Sequence, residues 1–414
     1  MATLTNFNDM LKKYMPYNLL REEMTKRDYF LSKVEKDQKW KGGEMQVPFK
    51  GGNASSFAFG ELTDVADITE DRYVLGTVSG YKEIWGSMIF NDHDLNRHDS
   101  MEASFIKILP DTIEEFVDSM KEIVSINLLS GAHLATLDPA NADSNLATGV
   151  VVADRPARLT IGQFLEVGTV GTLKVAGYVK QIDMEKKTVT LNVAKDLAGA
   201  AVDLAAAGVA AGDKVFVRGA LTAGRAFTSL RDQLLSATNG GSANLFGVNK
   251  LAYPHLQAFN YDGSGINANN ILEKIFDGYN ETRQIGKGAP SDVIMSFKHL
   301  GNVMKALEVA RDYSATDTKA NVYGWTEISV TGVKGSLKLV GVQEMDDDIM
   351  HILDWRTMKL HSNGMFERRT SPEGKSFYEI RSTTGYKYVV DTRFFGELVV
   401  SKPSHDGIIF GINY

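Results

Sequence analysis

The chain has 414 residues, 43% apolar and 23% charged, with a formal charge of −7 and no cysteine. That length accommodates roughly two to four packed units. Mild acidity argues against a dedicated nucleic-acid binder with a basic face, and the lack of cysteine removes disulfides, thiolate nucleophiles and zinc–thiolate sites.

Residues 1–40 carry Met10, Leu11, Tyr14, Leu19, Leu20, Met24 and Leu31 at helical intervals, with Pro16 as an interruption. Asp9, Lys12, Lys13 and Arg21 break any apolar stretch, so no signal peptide is expected. Residues 41–100 change character. Lys41-Gly42-Gly43 and Lys50-Gly51-Gly52-Asn53 punctuate the runs GEMQVPF and SSFAFGEL, and YVLGTVSGYKEIWGSMIF follows. The pattern predicts a long glycine-rich hairpin with little core of its own, which a partner surface would have to steady.

Ile113, Phe116, Val117, Met120, Ile123, Val124 and Leu128 predict an amphipathic helix over 111–131, capped by Asp111 or Thr112 and ended by Gly131. A polar linker is expected over 136–150, then short strands QFLEV, TLKVAGYVKQI, KTVTLNV and KVFVRGA. Val189, Leu191 and Val193 alternate with Thr188, Thr190 and Asn192, a half-buried strand pattern. Together these predict a small β-barrel. The Ala-rich run 197–211 holds Asp203 and is too short to span a bilayer. Helices are expected over ANNILEKIFDGYNETRQIG and KHLGNVMKALEVARD, with DVIMSF as a buried strand between them. WTEISVTGVKGSLKLVGV reads as a strand pair. The tail is strand-rich, with a hairpin turn at Ser371-Pro372-Glu373-Gly374-Lys375.

The closing string YKYVVDTRFFGELVVSKPSHDGIIFGI, the segment PSDVIMSFKHLGNVMKALEVARD and the insertion ending AAGVAAGDKVFVRGA resemble the major capsid proteins of tailed bacteriophages. The likeness runs through nearly the whole chain in order. It implies an α+β, Hong Kong 97-like capsid fold: an N-terminal arm (1–40), an E-loop hairpin (41–100), a P-domain with its spine helix (101–149), an inserted β-barrel domain (150–230), an A-domain (231–345) and returning P-domain strands (346–414). It further implies a structural, non-enzymatic protein that self-assembles into an icosahedral shell around double-stranded DNA. The expected partners are further copies in hexamers and pentamers, a separate scaffolding protein, a portal at one vertex, DNA held by non-specific contact and an outer decoration protein. The expected location is the virion, after synthesis in the host cytoplasm, with no membrane and no cofactor. An encapsulin-type cargo compartment is the neighbouring alternative.

Chemistry is the rival from another class. His93 and His98 stand among Asp92, Asp94 and Asp99, residue types that suit a metal site, so His93, Asp94 and His98 are the candidate ligands of a metal-dependent hydrolase. A spacing of five between the histidines suits neither a helix face nor a strand face, which favours a surface loop. Asp346-Asp347-Asp348 near His351 and Asp354 is a second candidate, equally explained as a charged loop. No P-loop, dinucleotide fingerprint, G-x-S-x-G elbow or H-E-x-x-H occurs. The strand-borne aromatics, Trp85, Phe90, Trp325, Trp355, Phe394 and Phe395, suit core packing first and interfaces second. For contacts between subunits the candidates, all within the expected hairpin, are Lys50, Gly51, Gly52 and Asn53 at its tip and Trp85 in its later strand run. By analogy with the type member of the family, Lys50 and Asn53 are also residue types that a covalent crosslink would use.

Overall fold

A computed structural model describes residues 28–38, 40, 43–50, 73–78, 82–91, 102–169, 171–194, 199–222, 224–309, 327–332, 335–362, 366–371, 373–382 and 385–413. In chain order, the first elements are helix α1 (Tyr29–Lys33) and strands β1 (Glu35–Asp37), β2 (Met45–Lys50), β3 (Tyr73–Val78) and β4 (Glu83–Asn91). Helix α2 (Glu102–Leu129) leads to β5 (His133–Asp138), β6 (Val150–Ala153), β7 (Phe164–Thr169), β8 (Thr172–Asp183), β9 (Thr188–Asn192) and β10 (Lys214–Val217). Helix α3 (Leu230–Leu234), β11 (Asn244–Leu245), β12 (Val248–Asn249) and β13 (Phe259–Asp262) precede helix α4 (Ile271–Gly286), β14 (Asp292–Met295) and helix α5 (Phe297–Val309). The chain closes through β15 (Glu327–Gly332), β16 (Gly335–Gly341), β17 (Ile349–Leu353), β18 (Met358–His361), β19 (Phe366–Arg368), β20 (Tyr378–Ser382), β21 (Gly385–Phe395), β22 (Glu397–Val400) and β23 (Gly407–Phe410). The chain is α+β and divides into two compact units.

The first unit takes the described residues of Tyr81–Thr228 and Arg368–Phe394. Its axis is α2, which starts earlier than the apolar stripe predicts and runs through Pro110. Pro110 forfeits its own N–H bond and its ring crowds the carbonyl four residues back, a cost of about 3 kcal/mol, yet the helix continues across it. Gly131, at φ +118°, ends the helix as expected, its N–H bonding the carbonyl of Ile126 at 3.2 Å. The last turns of α2 are buried all round, and Ile126 joins the core of the barrel.

Six strands close that barrel in the order β10-β5-β6-β9-β8-β7. Leu134, Leu137, Val151, Leu165, Val179, Val189 and Val215 fill its interior. Strand β5 begins at His133, so the barrel starts ahead of the expected boundary at 150 and takes in part of the expected linker. Bulges at Val167/Gly168, Val179/Gln181 and Val215/Phe216 bend the strands enough to close the ring. Val193 departs from the strict alternation: it is 58% exposed, while Thr188 and Asn192 are buried. Asn192 ends the strand by folding back on its own neighbours, accepting from Val193 N–H and donating to the Ala194 carbonyl.

Strands β4 and β20 also belong to this unit, and both pair with β21. The turn at Ser371–Lys375 forms, with Gly374 N–H bonded to the Ser371 carbonyl at 2.9 Å. Its two arms do not pair with each other, however. Arg369 N–H bonds the Asp391 carbonyl, and Tyr378–Ser382 pairs with Gly385–Val389, both on β21.

The second unit takes the described residues of Leu11–Gly80, Ser229–Glu367 and Phe395–Tyr414. A six-stranded mixed sheet, β13-β23-β17-β14-β16-β15, carries α4 and α5. Ile271 and Ile275 of α4 and Leu300 and Val303 of α5 meet Val293, Met295, Leu339, Ile352 and Ile409 in one core. Strands β17 and β23 lie in this sheet, so the 231–345 segment alone does not make it and the 346–414 segment is shared between both units. Hairpin β2–β3 pairs Met45 with Val78 through to Lys50 with Tyr73. It has more anchorage within the chain than its sequence suggests. Phe49 is fully buried and stacks on Phe246 at 6.1 Å between centroids, in a cluster with Trp40, Val47, Val78 and Phe395. Strand β4 is not part of this hairpin, since its partner is β21. In the N-terminal segment, Glu35–Asp37 is extended rather than helical because it pairs in parallel with β18.

Candidate assembly surface

Strand β4 shows how the surface arises from a two-residue period. Gly86 and Met88 turn inward; a Cβ at Gly86 would lie 2.7 Å from the Phe116 ring, so the missing side chain lets β4 lie close on α2. Trp85, Ser87 and Ile89 turn outward, with Trp85 47% and Ile89 50% exposed. On β21, Tyr388, Val390, Thr392 and Phe394 are buried, which leaves Asp391 and Arg393 on the outer face. The register of β20 on β21 sets Ile380, 51% exposed, opposite Lys387.

Polar groups hold this face in shape. The guanidinium of Arg393 lies 5.6 Å from the centroid of the Trp85 ring and that of Arg369 lies 5.9 Å away. Arg369 also sits 5.0 Å from the Tyr378 ring, Arg393 pairs with Glu83 at 3.5 Å, and Ser87 Oγ donates to Asp391 Oδ1 at 2.6 Å. Each exposed cation–π contact contributes roughly 0.5–1 kcal/mol. The indole is therefore positioned from within the chain while half of it stays open to solvent. Aromatic and arginine side chains in this arrangement are the types that anchor protein interfaces.

Trp85 thus stands at the centre of an exposed face. Lys50 closes the described end of β2, and Gly51, Gly52 and Asn53 lie outside the described residues. So do His93, Asp94 and His98. The other acidic candidate, Asp346–Asp348, is engaged in structure. Asp348 takes a two-pronged bond from Arg231 at 3.1 and 2.7 Å, and the Asp347 carbonyl accepts from His299 Nε2 at 2.6 Å. Burial opposes ionisation of Asp354, but Arg356 and the Ala289 N–H outweigh it and hold the carboxyl below its usual range. Among the described residues no group of three or more His, Asp or Glu is placed to hold a metal ion. The remaining aromatics divide: Phe394 and Phe395 are core residues, whereas Trp355 is partly open and donates from Nε1 to Asp292.

No family model matches the chain, and no curated protein matches it. Among solved structures the chain is similar to phage capsids. The cyanophage A-1(L) capsid asymmetric unit aligns with 92% of this chain and 91% of its own at 10% identity and a TM-score of 0.47. The satellite phage P4 procapsid that includes the size determination (Sid) protein aligns with 96% and 99% at 11% identity and 0.39. The holo-SrpI encapsulin complex from Synechococcus elongatus PCC 7942 aligns with 97% and 90% at 7% identity and 0.34.

Arg369, Arg393, Ile89 and Ile380 lie outside the sequence-derived candidates. For Ile89 and Arg393 the signal available is the alternation in EIWGSMIF and over Tyr388–Phe394; Arg369 and Ile380 lie outside those runs. Among the described residues no helix is long and apolar enough to cross a membrane.

Proposed function

We propose that the chain is a structural shell subunit, a tailed-phage major capsid protein of Hong Kong 97-type architecture. Many copies, arranged in hexamers and pentamers with a scaffolding protein and a portal, enclose double-stranded DNA. The observation that carries this reading is the outer face of the β4–β21–β20 sheet. Trp85, Ile89 and Ile380 leave apolar area open there, and open apolar patches of this kind are usually covered by a partner. In a shell subunit that partner is a neighbouring copy, so one weak contact repeats around the lattice and adds up. The ordered sequence resemblance, a long helix backed by a sheet, and a mixed sheet with two helices agree with the same reading. The pairing of Asp348 with Arg231 and of Asp354 with Arg356 ties that acidic cluster into the fold, which disfavours it as a hydrolase site.

The test is sedimentation and electron microscopy of the full chain. Closed particles are expected, and DNA rather than an enzyme cargo inside them distinguishes a capsid from an encapsulin-type compartment. A monomer that binds a divalent ion and hydrolyses a substrate would overturn the reading.

A further inference from the structure

In a chain whose net charge is −7, one surface of the second unit gathers basic groups from four separate stretches. Lys50 ends β2, His255 sits in the turn Pro254–Leu256, Lys287 follows α4, and Lys402 and His405 flank the turn Pro403–His405. Packing imposes the convergence. The Pro254–Leu256 turn rests on both β2 and the Pro403–His405 turn, and α4 ends against that same turn. Gly286 and Gly288 approach the backbone of Ser404 and His405 so closely that side chains at either position would collide.

The neighbours of each imidazole confirm the crowding. Burial first, then Lys50, Lys402, His405 and Lys287, lower the pKa of His255. Burial, Lys402, Arg356 and Lys50 lower that of His405 against the opposing charge of Asp354. Asp354, 3.7 Å from His405 Nδ1, is buried and already neutralised by Arg356. Asp406 is fully buried and holds its proton strongly, through burial above all. Like charges brought together repel and cost stability, whereas a polyanion laid across them gains from each lysine and favours protonation of the two imidazoles.

We infer that Lys50, His255, Lys287, Lys402 and His405 form a binding surface for the phosphate backbone of DNA. The inference rests on the shell reading, which places nucleic acid beside the subunit. Free phosphate offers the same chemistry, so both are probes. Binding of a short labelled duplex is measured by fluorescence anisotropy across a salt series on the full chain, and inorganic phosphate is titrated by calorimetry. Lys287→Gln with Lys402→Gln should weaken duplex binding about tenfold or more and reduce the slope of log affinity against log salt by roughly 2, at about 0.9 per phosphate contact. Lys180→Gln with Lys186→Gln makes the same charge change in the barrel and should leave both nearly unchanged. Equal losses in the two double variants, phosphate binding as tight as duplex binding, or polyglutamate binding as well as DNA would each overturn the inference. Particle formation is followed on the same samples. Particles with no difference in binding sink this site alone, while absence of particles from the unaltered chain sinks the shell reading.

Discussion

Truncating Trp85 to alanine should raise the concentration at which particles form while leaving the subunit folded. A tryptophan hides about 150–250 Å² when fully buried. With 47% of Trp85 exposed, roughly 100 Å² is left for a neighbour to cover, worth about 2.5 kcal/mol at about 25 cal/mol per Å². At about 1.4 kcal/mol per factor of ten, one such contact shifts the assembly threshold roughly sixtyfold. Within the subunit the ring's cation–π contacts to Arg369 and Arg393 account for about 1–2 kcal/mol, so the thermal midpoint should fall only modestly. Trp85→Tyr keeps a ring for both arginines and should fall between the two. The assay is light scattering against protein concentration, with circular dichroism on the same samples. Trp85→Ala particles appearing at the unaltered threshold would mean that the indole anchors no contact between subunits. So would a loss of assembly explained by outright unfolding, since the role would then be internal.

Phe49→Ala removes a fully buried ring stacked on Phe246 and should cost about 3–5 kcal/mol, read as a lower denaturation midpoint and faster proteolysis at the hairpin; an unchanged midpoint would mean the hairpin is not anchored there. Asp406→Asn should stabilise the subunit increasingly as pH rises. The folded state keeps this proton where the unfolded chain has lost it, so the stability present below about pH 3.8 drains away as pH climbs toward the raised value. Parallel melting curves for the two proteins across that range would contradict this. His255 and His405 act in the opposite direction. Both are held below the ordinary histidine value of 6.5, so the folded chain binds fewer protons than the unfolded one and loses stability as pH falls from about 6.5. Replacing both with glutamine should flatten that part of the pH–stability profile, and an identical slope would exclude their contribution.

Where apolar periodicity is strong, the elements were legible in the sequence. The stripe from Ile113 to Leu128 marks α2, and the stripes at Ile271–Tyr279 and Leu300–Leu307 mark α4 and α5. The barrel strands from Phe164 to Val217 were legible for the same reason. What local pattern could not give is pairing between distant segments. Strand β4 reads as a continuation of β3, yet it pairs with β21, nearly three hundred residues later in the chain. Deleting Lys41–Phe90 would therefore take most of β4 with the hairpin and uncover the α2 face that Gly86 admits. Strand β5 was hidden because its flanking residues read as a polar linker, and only closure of the barrel shows why Leu134 and Leu137 are apolar. At the candidate surface, the exposure of Trp85 depends on the inward facing of Gly86 and Met88, a choice that strand alternation leaves open until the α2 contact fixes it.

The measurement that bears most directly on the shell reading is sedimentation velocity of the full chain over a wide concentration range, with electron microscopy of the fractions. A sharp concentration threshold is expected, above which closed, uniformly sized megadalton particles appear and coexist with free subunits. A single slow species at every concentration, with no closed particles in any fraction, would contradict it.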